Sequence, residues 1–572
     1  MKRHPAHKAL LILALLLAGA GYVYLQTPTP SLATLMPSGA LLYLETPDFG
    51  RLLGDWNVSN VNARWLQSTN YSAFSRSNLF TKLQGVYSEY GKAAGFSPDL
   101  ASVIGIAGKQ SALALYGIRD VEFLYISRIG EGDFMKSQLW AVRDKFELRQ
   151  AGGVSFYLRT DAPSKRTVAF AFTQGYLLLG TRDDLVAQAL ELMAGRKNPS
   201  IASDRWYHDA TAAASSPGEL RLALNLQSLV ESVYFRSYWI QRNASAVRQY
   251  WAGVADITRA NGNITERRVF LRAPDAPQLP INGSVSNLLV FVPTEAGMYK
   301  ASLVSDPSNS AALVVQKLIA PEARRTPDLR SAPSGISPDE SAGSEGDLET
   351  RIDEQPLPLD SGLSDSLAAV RALVEKSGVR ALLLVQSTSL AGGTFVQTPA
   401  VIVLDARGNW QRDAVRTAFT TAAEKLWTTS QLGAGWTTDA TGPQPFDRLD
   451  GLAQLIFANR GRLLFISNDA RLLRAVLARS GGVPAAGSYT YAAGFRHARE
   501  RANYERIMTA LDFTSPAAGG QLFFSAFGGA PTFFSGNVAS LSRVLAGLNE
   551  VQLTEQDGPD RSIETVMYRM SR

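Results

Sequence analysis

The chain has 572 residues, of which 45% are hydrophobic and 19% charged, so it is long enough for more than one folded domain and is not a disordered chain. Its net charge is +6, and since Lys2, Arg3 and Lys8 supply three of these charges, the rest is too small and scattered to indicate a nucleic-acid partner. No cysteine is present, which excludes disulfides, thiol catalysis, thiolate metal sites and lipid attachment through an N-terminal cysteine.

The first 30 residues have the pattern of an export segment. A basic stretch up to Lys8 precedes an apolar run, Ala9–Leu25, which a Pro-rich stretch ends. The pattern fits a signal peptide cleaved after the small residues 18–20, or an uncleaved single-pass anchor. Tyrosines at the end of the run favour the anchor. We therefore expect residues 1–30 to be a signal anchor and linker in the inner membrane, with the bulk of the chain on the extracytoplasmic side, or a periplasmic or secreted protein if cleavage occurs.

The next stretch predicts a mainly antiparallel unit of strands and helices. Leu35–Phe49 has the alternation of a strand and ends in a Pro-Asp turn. Next we predict a helical aromatic segment through Tyr90, followed by two strands and a helix, at Ser111–Tyr116, Glu122–Arg128 and Lys136–Leu148 respectively. An alternating strand, Ile264–Arg272, closes the unit.

A β-hairpin that leads into an amphipathic helix occurs twice, at Thr167–Gly195 and Leu452–Gly482. An ungapped alignment of the two copies gives the identical pairs Gly175/Gly461, Leu177/Leu463, Leu178/Leu464, Asp183/Asp469 and Ala189/Ala475. Because side chains alternate across a strand, this alignment predicts that the paired glycines share one turn position and that the paired leucines face equivalent cores. It also predicts that Thr181 and Ser467 are the N-caps of the two helices.

The flanking strands also recur. Leu288–Ala301 repeats the opening strand, and Ser562–Arg569 resembles the closing one. We therefore predict an α+β fold made of two diverged copies of a mainly antiparallel sheet-plus-helices unit, residues 35–273 and 288–570. Within the second copy, residues 321–365 contain six prolines, 11 acidic residues and four arginines, which predicts a disordered acidic insertion.

These features carry a family resemblance. The basic anchor, the opening strand with Pro37, Ala40 and Tyr43, and the Gly-x-Leu-Leu hairpin before a helix resemble a family of exported bacterial proteins classed as a domain of unknown function. The resemblance implies a duplicated α+β envelope protein. It implies no activity and no catalytic residues.

No catalytic or metal-binding motif is found in the sequence. Outside the export segment the only histidines are His208 and His497, too few and too isolated for a zinc site. We therefore expect no cofactor, no metal and no catalytic residue. The candidate binding surface is the stretch Val233–Trp251, where aromatic and arginine side chains interleave. If helical, it presents one broad aromatic face formed by Tyr234, Arg236, Tyr238, Trp239, Arg242 and Trp251.

The sequence leaves three functions open. The leading hypothesis is a non-catalytic, membrane-anchored envelope protein that binds or scaffolds an envelope protein, a glycan or a lipid. The first alternative is a carrier or sensor of an apolar, lipid-like ligand held between the repeats. The second alternative is an envelope hydrolase whose site is assembled only in the fold.

Overall fold

The computed structural model describes residues 31–214, 216–236, 247–276, 283–319, 361–387, 398–424, 435–441, 444–450, 454–501 and 543–571. These residues form an α+β protein built on one antiparallel sheet of 20 strands. None of the helices within these ranges is both long and apolar enough to cross a membrane. The predicted anchor, residues 1–30, lies outside the described residues.

The first half of the sheet is formed by β1 (Leu42–Thr46), β2 (Ser111–Gly117), β3 (Glu122–Arg128), β4 (Glu147–Ala151), β5 (Val154–Thr160), β6 (Thr167–Thr173), β7 (Tyr176–Gly180), β8 (Leu220–Leu224), β9 (Tyr250–Ala260) and β10 (Asn263–Arg272). These strands lie side by side in the order β4-β5-β6-β7-β3-β2-β1-β8-β9-β10. Each neighbouring pair is antiparallel, which is why short hairpins can link so many of them.

The second half is formed by β11 (Met298–Leu303), β12 (Val379–Gln386), β13 (Ala400–Ala406), β14 (Gly435–Asp439), β15 (Phe446–Asp450), β16 (Leu455–Arg460), β17 (Leu463–Ser467), β18 (Tyr491–Phe495), β19 (Leu548–Asp557) and β20 (Arg561–Met570). Their spatial order is β14-β15-β16-β17-β13-β12-β11-β18-β19-β20. Strand for strand, this is the order found in the first half.

The two halves meet where β10 pairs with β20. The ladder runs from Asn263 opposite Arg569 to Leu271 opposite Arg561, so the sheet continues without a break from one half to the other. Across this junction the Arg268 guanidinium donates a hydrogen bond of 3.1 Å to the Glu564 carboxylate.

The helices occupy the connections between strands. Between β1 and β2 lie α1 (Phe49–Asn57), α2 (Asn60–Leu66), α3 (Thr69–Phe74), α4 (Asn78–Ala94) and α5 (Leu100–Ile106). The rest of the first half adds α6 (Glu131–Phe134), α7 (Gln138–Ala141), α8 (Asp183–Met193), α9 (Arg205–Ala213), α10 (Leu226–Glu231) and α11 (Val233–Phe235). The second half has α12 (Pro307–Val314), α13 (Ser361–Ser377), α14 (Arg412–Glu424) and α15 (Ala470–Leu477).

Each half buries apolar side chains on both faces of its sheet. In the first half, α8 covers one face through Leu185, Val186 and Leu190, which pack with Leu178 of β7. The neighbouring Leu177 points to the other face, as strand alternation requires. In the second half, α15 covers one face and α12, α13 and α14 cover the other.

The turns of the two hairpins differ by one residue from the ungapped sequence alignment. In β6–β7, Thr173 pairs with Tyr176, so Gly175 is the second of two turn residues. In β16–β17, Arg460 pairs with Leu463, so Gly461 is the first turn residue. Both glycines have positive φ, 77° and 56°, but they do not share a turn position.

This shift reverses the predicted facing of the leucines. Leu178 and Phe465 hold matching positions and pack with the helix after each hairpin, while Leu177 and Leu464 face the other side. Leu463 lies on the helix side, so Leu177 and Leu463 face opposite sides of the sheet and not equivalent cores. The sequence alignment was wrong by one residue, and a slip of one residue exchanges the two faces of a strand.

The predicted N-caps are also wrong. α8 begins after Arg182, which makes no side-chain cap, and α15 is capped by Asp469, whose carboxylate accepts a hydrogen bond from the Leu472 amide. The hydroxyl of Thr181 instead accepts a hydrogen bond from the Phe123 amide of β3. Ser467 likewise donates to the Ala400 carbonyl of β13. Both hydroxyls therefore hold neighbouring strands together.

Two further elements differ from the sequence prediction. The helix predicted at Lys136–Leu148 is only the short α7, because the chain turns at 143–145 and then enters the strand β4. The predicted insertion 321–365 overlaps α13, which begins at Ser361, so its last five residues are helical. The rest of that insertion lies outside the described residues.

The capping geometry predicts unequal effects for the two aligned aspartates. Asp469→Ala removes the cap of α15 and is expected to cost about 0.5–2 kcal/mol of unfolding free energy. Asp183→Ala removes a first-turn charge, worth about 0.3–1 kcal/mol, and an exposed ion pair of 3.3 Å with Arg149. Both effects are screened at about 1 M salt, so under that condition the loss at Asp183 should be smaller than the loss at Asp469. Urea unfolding of both variants measures the difference. A loss at Asp183 equal to or greater than that at Asp469 would contradict the observed register.

Candidate functional site

The predicted aromatic surface is not one helix. Tyr234 lies on α11 and is 36% exposed, and the Arg236 guanidinium folds back to donate to the Val230 carbonyl at 3.0 Å. Trp251 lies on β9, because the chain from Tyr250 onward pairs with β8 and β10. The prediction of one helix over this stretch was therefore wrong at its C-terminal end.

The ring of Trp251 is partly covered. It packs against the core of the first half, and the Arg205 guanidinium lies over it at 5.1 Å. The remaining members of the predicted surface, Tyr238, Trp239 and Arg242, lie outside the described residues. Of the predicted surface, Tyr234, Arg236 and Trp251 are thus placed on two different elements.

An apolar cavity of about 340 Å³ lies in the first half, between the helices α4 and α5 and the sheet. From the helices it is lined mainly by Leu83, Val86, Tyr87, Tyr90, Ala94, Val103 and Ile106. From the sheet and its connections it is lined mainly by Val121, Phe123, Leu139, Val168 and Leu179. We call this space the apolar cavity.

Three polar groups in its lining bond to the protein backbone, and the Ser102 hydroxyl donates to the Asp99 carboxylate. The Tyr90 hydroxyl donates to the Asp120 carbonyl at 2.9 Å, and burial raises the pKa of this phenol, which keeps it protonated. The Tyr87 hydroxyl donates to the Pro98 carbonyl. Thr181 accepts from a strand amide at 2.8 Å. The surface left facing the space is hydrocarbon, and a cavity of that kind does not hold water well.

The helix α4 is held to the sheet at its C-terminal end, and nearer its N-terminal end it borders the opening of the cavity. Its C-terminal carbonyls, those of Lys92 and Ala93, accept hydrogen bonds of 3.0 and 3.2 Å from the Arg159 guanidinium of β5. Gly95 ends the helix in the left-handed conformation, with φ of 81°. One to three turns earlier, Leu83 and Tyr87 line the cavity and yet are each 49% exposed. They mark its opening to solvent.

A stripe of apolar residues in the sequence points to this cavity, although none of its members is among the predicted binding residues. Leu83, Val86, Tyr87, Tyr90 and Ala94 recur at the spacing of one helix face. Such a stripe indicates a buried face, but it does not tell whether other side chains fill the space beside it.

A second space, the polar cleft, lies where the two halves meet. Its volume is about 790 Å³, and its lining includes Arg205, Trp251, Arg272, Asp560 and Arg561. The charges in it are paired, since Arg272 donates to Asp557 at 2.7 Å and Arg561 lies 2.9 Å from Asp560. Such pairing favours a structural role for these charges over the recognition of a charged ligand.

Beside this cleft lies a carboxyl group with an unusual pKa. Burial, together with the nearby carboxylates of Asp557 and Glu564, raises the pKa of Glu555 to about 7. The Ser562 hydroxyl donates to it at 3.0 Å and only partly offsets this effect. Neither here nor elsewhere in the described residues is there a group of three or more histidines or carboxylates that could hold a metal ion.

No family model matches the chain, and no curated protein matches it. Among solved structures, two crystal forms of TP0453 show a limited similarity at 11% sequence identity. Form I covers 44% of this chain and 83% of its own, form III covers 49% and 91%, and both have a TM-score of 0.25. At that score the similarity does not bear on the fold or the function.

The raised pKa of Glu555 predicts a pH-dependent stability. An unfolded glutamate ionises near pH 4.5, so between about pH 4.5 and 7 the folded state binds the extra proton, and stability falls as the pH rises through this window. Glu555→Gln removes the free-energy cost of ionising this buried carboxyl group in the folded state. We expect the variant to melt at a higher temperature than the wild type at about pH 8 and at a similar temperature at about pH 5.

The control is Glu131→Gln, which changes an exposed glutamate of the first half. It should leave the melting temperature unchanged at both pH values. A wild-type protein equally stable across this window would contradict the assignment.

Proposed function

We propose that the protein is a non-enzymatic binding protein of the cell envelope, held at the membrane by its N-terminal segment, and that it binds an apolar, lipid-like chain. The observation that carries the proposal is the apolar cavity. Its volume of about 340 Å³ lies within the usual range of small-molecule sites, about 300–1,000 Å³. Because the surface that faces the cavity is almost entirely hydrocarbon, burial of hydrocarbon is the interaction that it offers a ligand.

A comparison between the halves supports this choice. Strand pairing makes Phe123, Val168 and Leu179 of the cavity the counterparts of Ala400, Leu455 and Ile466 in the second half. These three counterparts are at most 1% exposed and pack with side chains of α13 and α14, such as Val374 and Phe419. The corresponding face of the sheet is therefore covered by close-packed side chains in the second half, whereas in the first half it borders the apolar cavity.

The ligand is placed within the first half and not between the repeats. The space between the halves is the polar cleft, whose charges are paired with one another. An apolar chain would have to displace water from those charges without replacing their hydrogen bonds, and this is unfavourable. A scaffolding role for the surface around Tyr234 remains a prediction.

We further propose that the two halves are diverged copies of one unit, residues 35–273 and 288–570. The shared strand order supports this, and so does the symmetry of the β10–β20 ladder. Let Thr265, Arg267 and Val269 of β10 be matched with Ile563, Thr565 and Met567 of β20. Thr265 then pairs with the match of Val269, Val269 pairs with the match of Thr265, and Arg267 pairs with its own match, so the ladder is symmetric. Two copies of one unit related by a twofold axis would produce such a pairing.

The test of the ligand site uses a long-chain fatty acid that carries a photoreactive diazirine. After illumination of the full chain in detergent, mass spectrometry should find adducts on peptides from 83–106 and 168–181. Val86→Trp fills the cavity and is expected to lower the adduct yield by about tenfold or more, which corresponds to about 1.4 kcal/mol of lost binding.

The matched control is Val483→Trp, which places the same side chain at a position that is 90% exposed in the second half. Its adduct yield should equal that of the wild type. Circular dichroism verifies that both variants are folded. Adducts spread evenly over the chain, or a yield that folded Val86→Trp leaves unchanged, would overturn the proposed site.

A further inference from the structure

Exposed hydrophobic side chains are concentrated in one part of the molecule. We call residues 49–106, which comprise α1 to α5, the helical segment. Seven of the eleven large hydrophobic side chains that are exposed in the described residues belong to it: Trp56, Val58, Leu66, Phe74, Leu83, Tyr87 and Leu100. Single exposed hydrophobic residues are ordinary, but such a concentration marks a surface that contacts something apolar.

The first three helices of the helical segment pack mainly on neighbouring helices and little on the sheet. The described residues of α1, α2 and α3 include none that is buried. Instead, aromatic rings contact one another between neighbouring helices, with Trp65 5.9 Å from Tyr71 and Phe74 5.3 Å from Phe80. The segment is thus a thin layer with apolar side chains left outside.

The charge of the helical segment is positive. It has five basic and three acidic residues. Asp55 lies 3.2 Å from Arg259, Glu89 lies 2.8 Å from Arg166, and Asp99 caps α5. Among the basic residues, Arg51 lies 3.8 Å from Glu219. A helical layer with exposed apolar side chains and net positive charge has the composition of a segment that lies on an anionic bilayer.

The helical segment also begins close to the first described residue, Ser31. The described chain begins at Ser31, whose hydroxyl donates a hydrogen bond of 2.6 Å to Glu45. Glu45 is the penultimate residue of β1, and α1 begins only a few residues later, at Phe49. A membrane that holds residues 1–30 would therefore lie close to the helical segment.

We propose that the helical segment lies on the surface of an anionic phospholipid bilayer, with its exposed apolar side chains inserted among the headgroups. The proposal rests on the proposed function, in which the N-terminal segment holds the chain at a membrane. It deepens that function because Leu83 and Tyr87 belong both to the segment and to the opening of the apolar cavity. A lipid chain would enter the cavity from the bilayer without crossing water.

The absence of cysteine makes a position-specific test possible. Val58→Cys and Val483→Cys introduce one label site each, at residues that are 81% and 90% exposed, inside the segment and far from it in sequence. Neither residue lines the apolar cavity. The full chain, labelled with an environment-sensitive fluorophore, is reconstituted into phosphatidylglycerol vesicles that contain nitroxide-labelled lipid, and lipid quenching is measured.

We expect strong quenching and a blue-shifted emission at position 58 and neither at position 483. In vesicles of phosphatidylcholine alone, quenching at position 58 should fall. Equal quenching at both positions, or none at position 58, overturns the proposal. Equal quenching at position 58 in neutral and anionic vesicles overturns its electrostatic part.

Two separate measurements distinguish failure of this proposal from failure of the proposed function on which it rests. Flotation of the labelled chain after an alkaline carbonate wash, which removes peripheral contacts, reports attachment through the N-terminal segment. The diazirine adducts report the apolar cavity. Flotation and adducts without quenching at position 58 would overturn the contact of the helical segment alone. Loss of flotation, or of the adducts, would contradict the proposed function itself.

Discussion

The pairing of β10 with β20 is the constraint on which the arrangement of this molecule depends. Each half has its own cores, but the order of strands in each is built outward from this one ladder. A slip of one residue in the ladder would exchange the two faces of one half of the sheet relative to the other half. The ion pair of Arg268 with Glu564 and that of Arg272 with Asp557 lie at or beside this junction and favour the observed register.

The connection between the first two strands of each half contributes to the difference between the halves. Where the first half links its first two strands in chain order by α1 to α5, the second half uses α12 and α13. The latter helices bring Val370 and Val374 into contact with the sheet and complete a solid core. The former cover the sheet only in part and leave the apolar cavity. The two halves of the sheet thus differ in the space that lies beside them.

Part of this architecture could be predicted from the sequence. The antiparallel α+β class, the strands at 111–117 and 122–128 and both hairpin–helix stretches follow from alternation and helical spacing. The register of the repeat could not be predicted. Glycine tolerates positive φ at either position of a two-residue turn, so Gly175 and Gly461 align in sequence while they differ in place.

The candidate site was harder to predict for a related reason. A hydroxyl before a helix suits an N-cap, but Thr181 and Ser467 bond to neighbouring strands, a choice that depends on residues far away in the sequence. The stripe on α4 predicts an apolar face. Whether that face meets a filled or an empty space depends on the reach of other helices, which no local pattern encodes.

The contrast between a hollow half and a solid half has a consequence for the history of the chain. In a symmetric homodimer every substitution appears twice, so a change that opened a cavity in one subunit would open it in the other and weaken both cores. If the halves descend from one self-associating unit, their fusion into a single polypeptide lifted this restriction. Substitutions could then open a cavity in one half alone. The other half, covalently attached to it, would keep a fully packed core and stabilise the whole sheet.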